Sequence, residues 1–330
     1  MPANLTPDYL AAEARFRGAV TTEDKLVALD EMYATIPKHK GTEKLRADIK
    51  RRMSKLREKE KQAGPKSKRF NEFHIEKQGA GQVILLGPAN AGRSTLVSAL
   101  TSAQPEIADY PYTTRAPLPG MMDYEDISVQ IVDTPAIFNE HTDGGLLSMA
   151  RVADSVALVV DVSDNGFLDQ LEDIRDQALR SKLMLVGKGC DASAHSAGVI
   201  YMPTFIIANK IDKPDIEDNI EALREMYASE YDIYLTSARL GEGLEDLRRG
   251  MFDSLEIIRV YTKMPGKPAD RDKPFTLKKG STLMDFAATV HKDFVSRLRF
   301  ARAWGSNHLE GAKIGRDYIL QDGDIVEMHE

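Results

Sequence analysis

The chain of 330 residues is poor in the features that would make it a disulfide-bonded, metal-liganded or membrane-spanning protein. It has a single cysteine, Cys190, so no disulfide can close within it, and an inert small residue in a reducing compartment is the expectation. Its seven histidines, His39, His74, His141, His195, His291, His308 and His329, show no metal-ligand spacing, which argues against a site built from neighbouring imidazoles. No apolar run approaches the roughly 20 residues that cross a bilayer. The opening segment MPANLTPDYL lacks the basic-then-apolar plan of a secretory leader. No membrane contact and a cytoplasmic location are therefore expected. The one tryptophan, Trp304, is read as a core anchor of the C-terminal part rather than a platform on which bases stack.

What is present describes an ordinary globular chain, 42% hydrophobic and 29% charged. Its length exceeds the roughly 250 residues beyond which single cores stop growing, so more than one domain is expected. The net charge of −7 hides a segregation: +7 over residues 1–70, −17 over 71–257 and +3 over 258–330. A polyanion such as RNA is repelled by the middle and attracted by the ends.

Residues 7–62 carry apolar positions at helical spacing, Leu26, Leu29, Tyr33 and Ile36, then Leu45, Ile49, Met53 and Leu56. Gly41 interrupts them and Thr42 can cap a second helix, so a hairpin with a basic second arm is predicted, the basic run including Lys50, Arg51, Arg52, Lys55 and Arg57. Residues 63–70, AGPKSKRF, read as a linker. From 71 to 257, apolar runs at 83–86, 128–132, 155–161, 204–208 and 232–236 alternate with amphipathic stretches at 94–102, 167–181, 216–229 and 243–256. That order predicts an α/β fold with a doubly wound, mostly parallel sheet, whose ligands sit at the carboxyl ends of the strands. Residues 258–330 read as a small α+β domain of ubiquitin-like plan, with strands at 259–262, 275–277, 299–304 and 325–328 and a helix opened by Gly280-Ser281-Thr282 that runs through Phe286 to Phe294.

The run Gly87-Pro88-Ala89-Asn90-Ala91-Gly92-Arg93-Ser94 joins the first strand to the helix that continues through Thr95. A glycine turn feeding a helix gathers backbone N–H groups and the positive end of the helix dipole on one point, a place for a phosphate chain. The Ser94 hydroxyl stands where such loops ligate magnesium, and Arg93 stands where they normally carry Lys. Asp133-Thr134-Pro135 closes a strand, with Asp133 placed to hold magnesium through water. Asn209-Lys210-Ile211-Asp212 closes another: the Asp212 carboxylate can accept from guanine N1–H and the 2-amino group, donors that adenine lacks. Asn209 would tie loops together, and the Lys210 stem would lie across the base. Thr236-Ser237-Ala238 would supply a backbone N–H for the guanine oxygen. In Tyr110-Pro111-Tyr112-Thr113-Thr114-Arg115, a Thr could close over magnesium and the γ-phosphate.

Taken in order, these motifs make the chain resemble the Obg-type GTPases, and within them the developmentally regulated GTP-binding proteins. The tail, from Arg259-Val260-Tyr261-Thr262-Lys263 to Ile319-Leu320-Gln321-Asp322-Gly323-Asp324-Ile325-Val326, resembles their TGS domain. The resemblance covers about residues 80–330. It implies a P-loop GTPase domain (71–257) between the basic helical segment (1–70) and a β-grasp TGS domain (258–330). It implies GTP and GDP as ligands, magnesium held by Ser94, Thr114 and Asp133, and a first switch over Tyr112–Ala116, with Arg93 and Thr114 at the chemistry. Asn90 falls where related proteins hold potassium. RNA or ribosome contact through the two ends is implied, and a stabilising partner protein belongs to the same expectation.

The chain departs from that pattern at two places, Arg93 and Ala136. Arg93 brings a wide planar fork where a compact ammonium is usual. Ala136 stands where the second switch usually has Gly and resists positive φ. Ile137 is apolar where many small GTPases place a water-orienting Gln, as the family commonly has it. Asp143-Gly144-Gly145 reads as a flexible part of that switch. The region 162–203 is shorter than in eukaryotic members, and residues 190–196 read as the remaining loop. Two readings follow: a slow magnesium-dependent GTPase switch, or a hydrolysis-impaired GTP-binding adaptor that holds nucleotide weakly or permanently and acts on RNA or ribosome through its ends. Arg93→Lys separates them. For the switch, single-turnover assays should show a large gain in hydrolysis at unchanged GTP affinity; a parent chain that binds no GTP decides for the adaptor.

Overall fold

The computed structural model describes residues 9, 12, 15–16, 22–36, 46, 49–55, 75–101, 117–136, 144–187, 198–305 and 310–329. The sequence features at 63–70, 110–115, 137, 143 and 190–196 lie outside them. The chain divides into two compact units, Met1–Glu72 and Phe73–Glu330.

The first unit is helical, with α1 at Thr22–Thr35 and further helical residues at 49–55. The spacing of its apolar residues gives it a core of its own: Leu29, Met32 and Ile36 pack with Tyr9, Ala12, Ile49 and Met53. The second arm is two-faced, because Ile49 and Met53 are buried while Lys50, Arg51, Arg52 and Lys55 are exposed.

Among the described residues, the second unit holds two sheets. The larger has seven strands in the order β2-β3-β1-β4-β6-β5, with β7 also on β6. Its strands are β1 Gln82–Leu86, β2 Leu118–Tyr124, β3 Ile127–Asp133, β4 Ser155–Asp161, β5 Leu183–Val186, β6 Ile200–Asn209 and β7 Ile233–Thr236. All pairs are parallel except β2 with β3. All five residues of β1 are buried, as a central strand covered on both faces requires. On one face Val83 and Leu85 pack with α2 (Arg93–Leu100) and α6 (Leu244–Ser254). On the other Ile84 and Leu86 pack with α3 (Gly144–Ala150), α4 (Phe167–Arg180) and α5 (Glu217–Tyr227).

Two strands of this sheet were not foreseen. β2, with the sequence LPGMMDY, contains Pro119 and Gly120 and survives as an edge strand because the hairpin with β3 satisfies it on one side only. β5, only four residues long, lies between the expected helix at 167–181 and the expected strand at 204–208, where the sequence pattern assigns no element, and is specified by pairing with the first half of β6. A correction concerns Gly144-Gly145: these residues open helix α3, whose Leu146, Leu147 and Met149 are buried, so burial overrides the low helix propensity of glycine.

The smaller sheet runs β11-β10-β12-β8-β9, from β8 Ile257–Thr262, β9 Phe275–Lys278, β10 Phe300–Trp304, β11 Glu310–Ile314 and β12 Asp324–His329. Its helix α7, Leu283–Val290, begins at a reciprocal cap between Thr282 and Asp285, and α8 follows as Lys292–Arg297, so the single predicted helix is two. Phe286, Leu283 and Ala287 meet Val260, Ala301, Ala303 and Val326 in the core. Trp304 does not join that core. Ala301 and Ala303 point inward, so period-two alternation sends Phe300, Arg302 and Trp304 to the outer face, where the Lys263 ammonium lies 4.1 Å from the Trp304 ring.

One guanidinium joins the two sheets. Arg259 of β8 donates to Asp322 at 2.7 Å and to Asp126 at 2.9 Å, bonds Glu125, and lies 4.9 Å over the Phe252 ring of α6. Tyr261 donates to the same Asp126. Glu125 and Asp126 form the β2–β3 turn, so the small sheet grips the hairpin at the end opposite Asp133. The Asp322 carboxyl would be raised by burial, but hydrogen bonds from Arg259 outweigh this and hold it below the ordinary range. Arg259→Ala should cost about 1–2 kcal/mol, because the carboxylates it leaves are partly open to water, which takes up much of the loss. Urea unfolding should then split from one transition into two, and a single unshifted transition would refute the joint.

Candidate functional site

Strand register brings the motifs to one rim. Leu85 pairs Asp133, Asp161 pairs Asn209, and Asn209 pairs Thr236, so the carboxyl ends of β1, β3, β4, β6 and β7 lie side by side. The turn Gly87–Gly92 crosses above them and leads into α2.

That turn is shaped by close approaches. A Cβ on Gly87 would sit 2.4 Å from the Val159 carbonyl oxygen, and one on Gly92 would sit 2.3 Å from Asn209 Nδ2. Gly92 has φ +91° and Asn90 φ +63°, left-handed values that glycine adopts freely and asparagine tolerates. Ala89, Asn90, Ser94 and Thr95 are exposed, Pro88 is half-buried and Ala91 is buried.

The side chain of Asn209, 1% exposed, holds three loops at once. Its Nδ2 donates to Ala91 O at 2.8 Å, while its Oδ1 accepts from Ala238 N at 3.1 Å and Thr236 Oγ1 at 3.3 Å. Of the backbone N–H groups in Thr236-Ser237-Ala238, the segment expected to reach the guanine oxygen, that of Ala238 is thus engaged within the protein. Ser237 Oγ donates to Asp212 Oδ1 at 2.7 Å, and this bond is the main cause that holds the Asp212 carboxyl below its ordinary pKa, keeping it an acceptor. Lys210, at φ +70°, passes Gly92 and reaches Asp161 Oδ2 at 2.5 Å.

The phosphate end centres on Arg93. Its guanidinium is turned inward, 8% exposed, and donates to Gly87 O at 2.7 Å and Pro135 O at 3.1 Å. Burial lowers its pKa, and the nearby Asp133 charge opposes that. The residue expected to reach outward to phosphate is therefore bound to the carbonyls of the first and second motifs. Ser94 Oγ donates to Asp133 Oδ2. Asp133 Oδ1 is buried, accepts no hydrogen bond from the described residues and has Arg93 Nε no nearer than 4.0 Å. A hydroxyl and a carboxylate with one unmatched oxygen, side by side below a helix N-terminus, form a donor set of the oxygen type that suits magnesium. Thr134 Oγ1 donates to Leu85 O at 2.6 Å and pins the second motif to β1. Ala136 is half-buried and is not among the described non-glycine residues at positive φ, so its methyl group strains nothing here. Tyr112, Thr113 and Thr114 lie outside the described residues.

Asp161 escaped the sequence reading. It ends a strand like Asp133 but belongs to no motif, and only the register with Asn209 places it beside Lys210. A strand-ending Asp followed two residues later by Ser163, which caps it, was the available signal.

Residues 82–188 match the family model of the 50S ribosome-binding GTPases, and residues 258–329 match that of the TGS domain. The chain is 27% identical to a GTP-binding protein of Methanocaldococcus jannaschii, with 92% of each chain covered. It is 24% identical to ribosome-interacting GTPase 1 of Saccharomyces cerevisiae, over 93% of this chain and 98% of that one. It is 23% identical to developmentally-regulated GTP-binding protein 1 of Xenopus laevis, over 92% and 98%. Among solved structures, the YchF GTPase of Schizosaccharomyces pombe shares the fold, with a TM-score of 0.50 at 12% identity over 78% of this chain and 100% of that one.

The contact between the turn and Asn209 can be tested directly. Gly92→Ala puts a methyl group into the Asn209 amide and strains a left-handed backbone, so a cost of about 1–3 kcal/mol is expected. Fluorescent GDP should lose its binding while circular dichroism stays native; unchanged GDP affinity would contradict the geometry. Loop order, strand register and the two domain matches agree: the chain is a GTP-binding protein with a GTPase domain of the 50S ribosome-binding type and a C-terminal TGS domain, and it is similar over about nine-tenths of its length to the developmentally regulated GTP-binding proteins.

Proposed function

We propose that the protein is a slow, magnesium-dependent GTPase switch that acts at the ribosome or on RNA in the cytoplasm, built as a basic helical segment (1–70), a GTP-binding domain (71–257) and a TGS domain (258–330). The observation that carries the nucleotide site is the Asn209 amide, which draws the phosphate turn and the two base-recognising loops within hydrogen-bonding distance of one another.

In this reading the N–H groups of residues 87–95 cradle the phosphates, and Asp212, steadied by Ser237, accepts from guanine. Ser94 and Asp133 hold magnesium, which would neutralise charge on the β- and γ-phosphates. Thr114 joins them when the first switch closes, with Tyr112 and Thr113 beside it. Thr134, Pro135 and Ala136 form the start of the second switch. Arg93 accounts for the slowness: to meet a phosphate its fork must leave two carbonyls, which then lose their partners. Asn90, exposed and left-handed at the rim, is assigned to potassium. The exposed cations of the first unit, Lys50, Arg51, Arg52 and Lys55, offer phosphate contacts to RNA, and the TGS domain is a second contact. A partner protein that stabilises the chain fits the same setting.

The test measures affinity for GTP and ATP, then single-turnover hydrolysis with and without ribosomes, in potassium and in sodium. GTP should be preferred on the order of 100-fold or more, since a mismatched base leaves a carboxylate unpaired. Hydrolysis should need magnesium and rise with potassium, and Asn90→Ala should lose the potassium response. Equal ATP and GTP affinity would end the guanine reading, and identical rates in sodium and potassium would end the role of Asn90.

A further inference from the structure

The Asp161 carboxylate is oriented more fully than a strand-ending residue needs. Its Oδ1 accepts from Ser163 N at 3.0 Å and from Ser163 Oγ at 2.6 Å, which leaves Oδ2 aimed at the Lys210 ammonium, 2.5 Å away. The two side chains are 17% and 28% exposed, so the pair is shielded without being sealed. Burial would raise the Asp161 carboxyl, but the bonds from Lys210 and Ser163 outweigh it, and the group stays charged below the ordinary carboxylate range. Two further contacts hold the surrounding backbone: Asn219 of α5 donates to Val162 O at 2.8 Å, and Val162 N donates to Asn209 O at 3.2 Å. The Lys210 stem therefore runs between fixed points, from a left-handed backbone at φ +70° past Gly92 to Asp161.

We infer that Asp161, held by Ser163, is a positioning residue of the guanine site: it anchors the far end of Lys210 so that the aliphatic stem forms a preset floor for the purine and ribose. The inference rests on the guanine-nucleotide reading of this rim. An unanchored lysine has four rotatable bonds to immobilise when a base settles on it, and ordering such a side chain costs binding free energy. An anchored one has already lost that freedom. The floor touches the face of the base and not its hydrogen-bonding edge, so it serves GTP, GDP and inosine nucleotides equally. Asp212 differs, because losing it removes discrimination along with affinity.

The experiment is a double-mutant cycle on GDP, GTP and IDP binding by the full chain, read by fluorescent-nucleotide displacement, with Asp161→Asn, Lys210→Met and the pair. Asp161→Asn should weaken all three ligands by roughly tenfold, the scale of one charge-assisted contact. It should leave the ratio of GDP to IDP affinity unchanged. In the Lys210→Met background the same change should have little further effect, because the residue acts through the lysine. Ser163→Ala should give a smaller loss of the same pattern. Thermal melts of each variant separate a folding defect from a binding one, since a general loosening would add to Lys210→Met rather than vanish in it. Tighter binding in Asp161→Asn would show that the carboxylate holds the lysine away from the nucleotide, and additive effects would show that it acts elsewhere; either result overturns the inference. A parent chain that binds no GDP removes the guanine reading itself, whereas a binding parent with an unaffected Asp161→Asn removes only the role given to Asp161.

Discussion

The nucleotide rim depends on one buried carboxamide. Asn209 presents a donor to the phosphate turn and an acceptor to the loop after β7, two needs of opposite sign that a single amide meets and that no aspartate or leucine of similar size can. Its surroundings are built to that size. Gly92 has no Cβ because the amide occupies the space, and Thr236 places its hydroxyl on the same oxygen. The amide sits at 1% exposure, so each unmade bond would leave a polar atom stranded away from water, at about 1–3 kcal/mol. Loops from three distant parts of the chain are thereby set in one arrangement before any ligand arrives.

Around this fixed centre the two ends of the site have different characters. At the base end, Asp212 and Asp161 are each steadied by a serine, Ser237 and Ser163, and both carboxyls are held below their ordinary range. The result is a carboxylate held charged and in place, as the proposed contact with guanine requires. At the phosphate end the cation faces inward, bonded to Gly87 and Pro135, and Ser94 and Asp133 bond each other. There the groups that would meet charge are occupied with one another and must be exchanged. This contrast between a base end held ready and a phosphate end satisfied within the protein is what the proposal of a slow switch rests on.

The TGS domain enters through geometry of a different kind. Arg259 holds the tip of the β2–β3 hairpin, and at the open end of that hairpin Leu118 pairs with Asp133. The hairpin therefore connects Asp133 with the C-terminal domain through a single antiparallel ladder. The stretch Arg259–Lys263 carries the family resemblance of the tail. Its arginine and tyrosine both contact Asp126 rather than their own domain's core, which gives that stretch a physical reason.

Much of this was legible in the chain. Continuous apolar runs reported the buried central strands, because a strand covered on both faces has no polar side to show, and the helices 167–180, 217–227 and 244–254 fell within a few residues of expectation. Turn chemistry and strand-ending Asp and Asn residues likewise located the rim. What sequence could not decide was anything carried by a partner far along the chain. β2 and β5 exist because neighbours accept them, Gly144 and Gly145 are helical because the residues after them are buried, and Trp304 faces outward because two alanines beside it face inward. Arg93 folding beneath its own loop, and Asp161 meeting Lys210, are likewise products of register between strands about 40–50 residues apart or more, and local pattern holds no record of such distances.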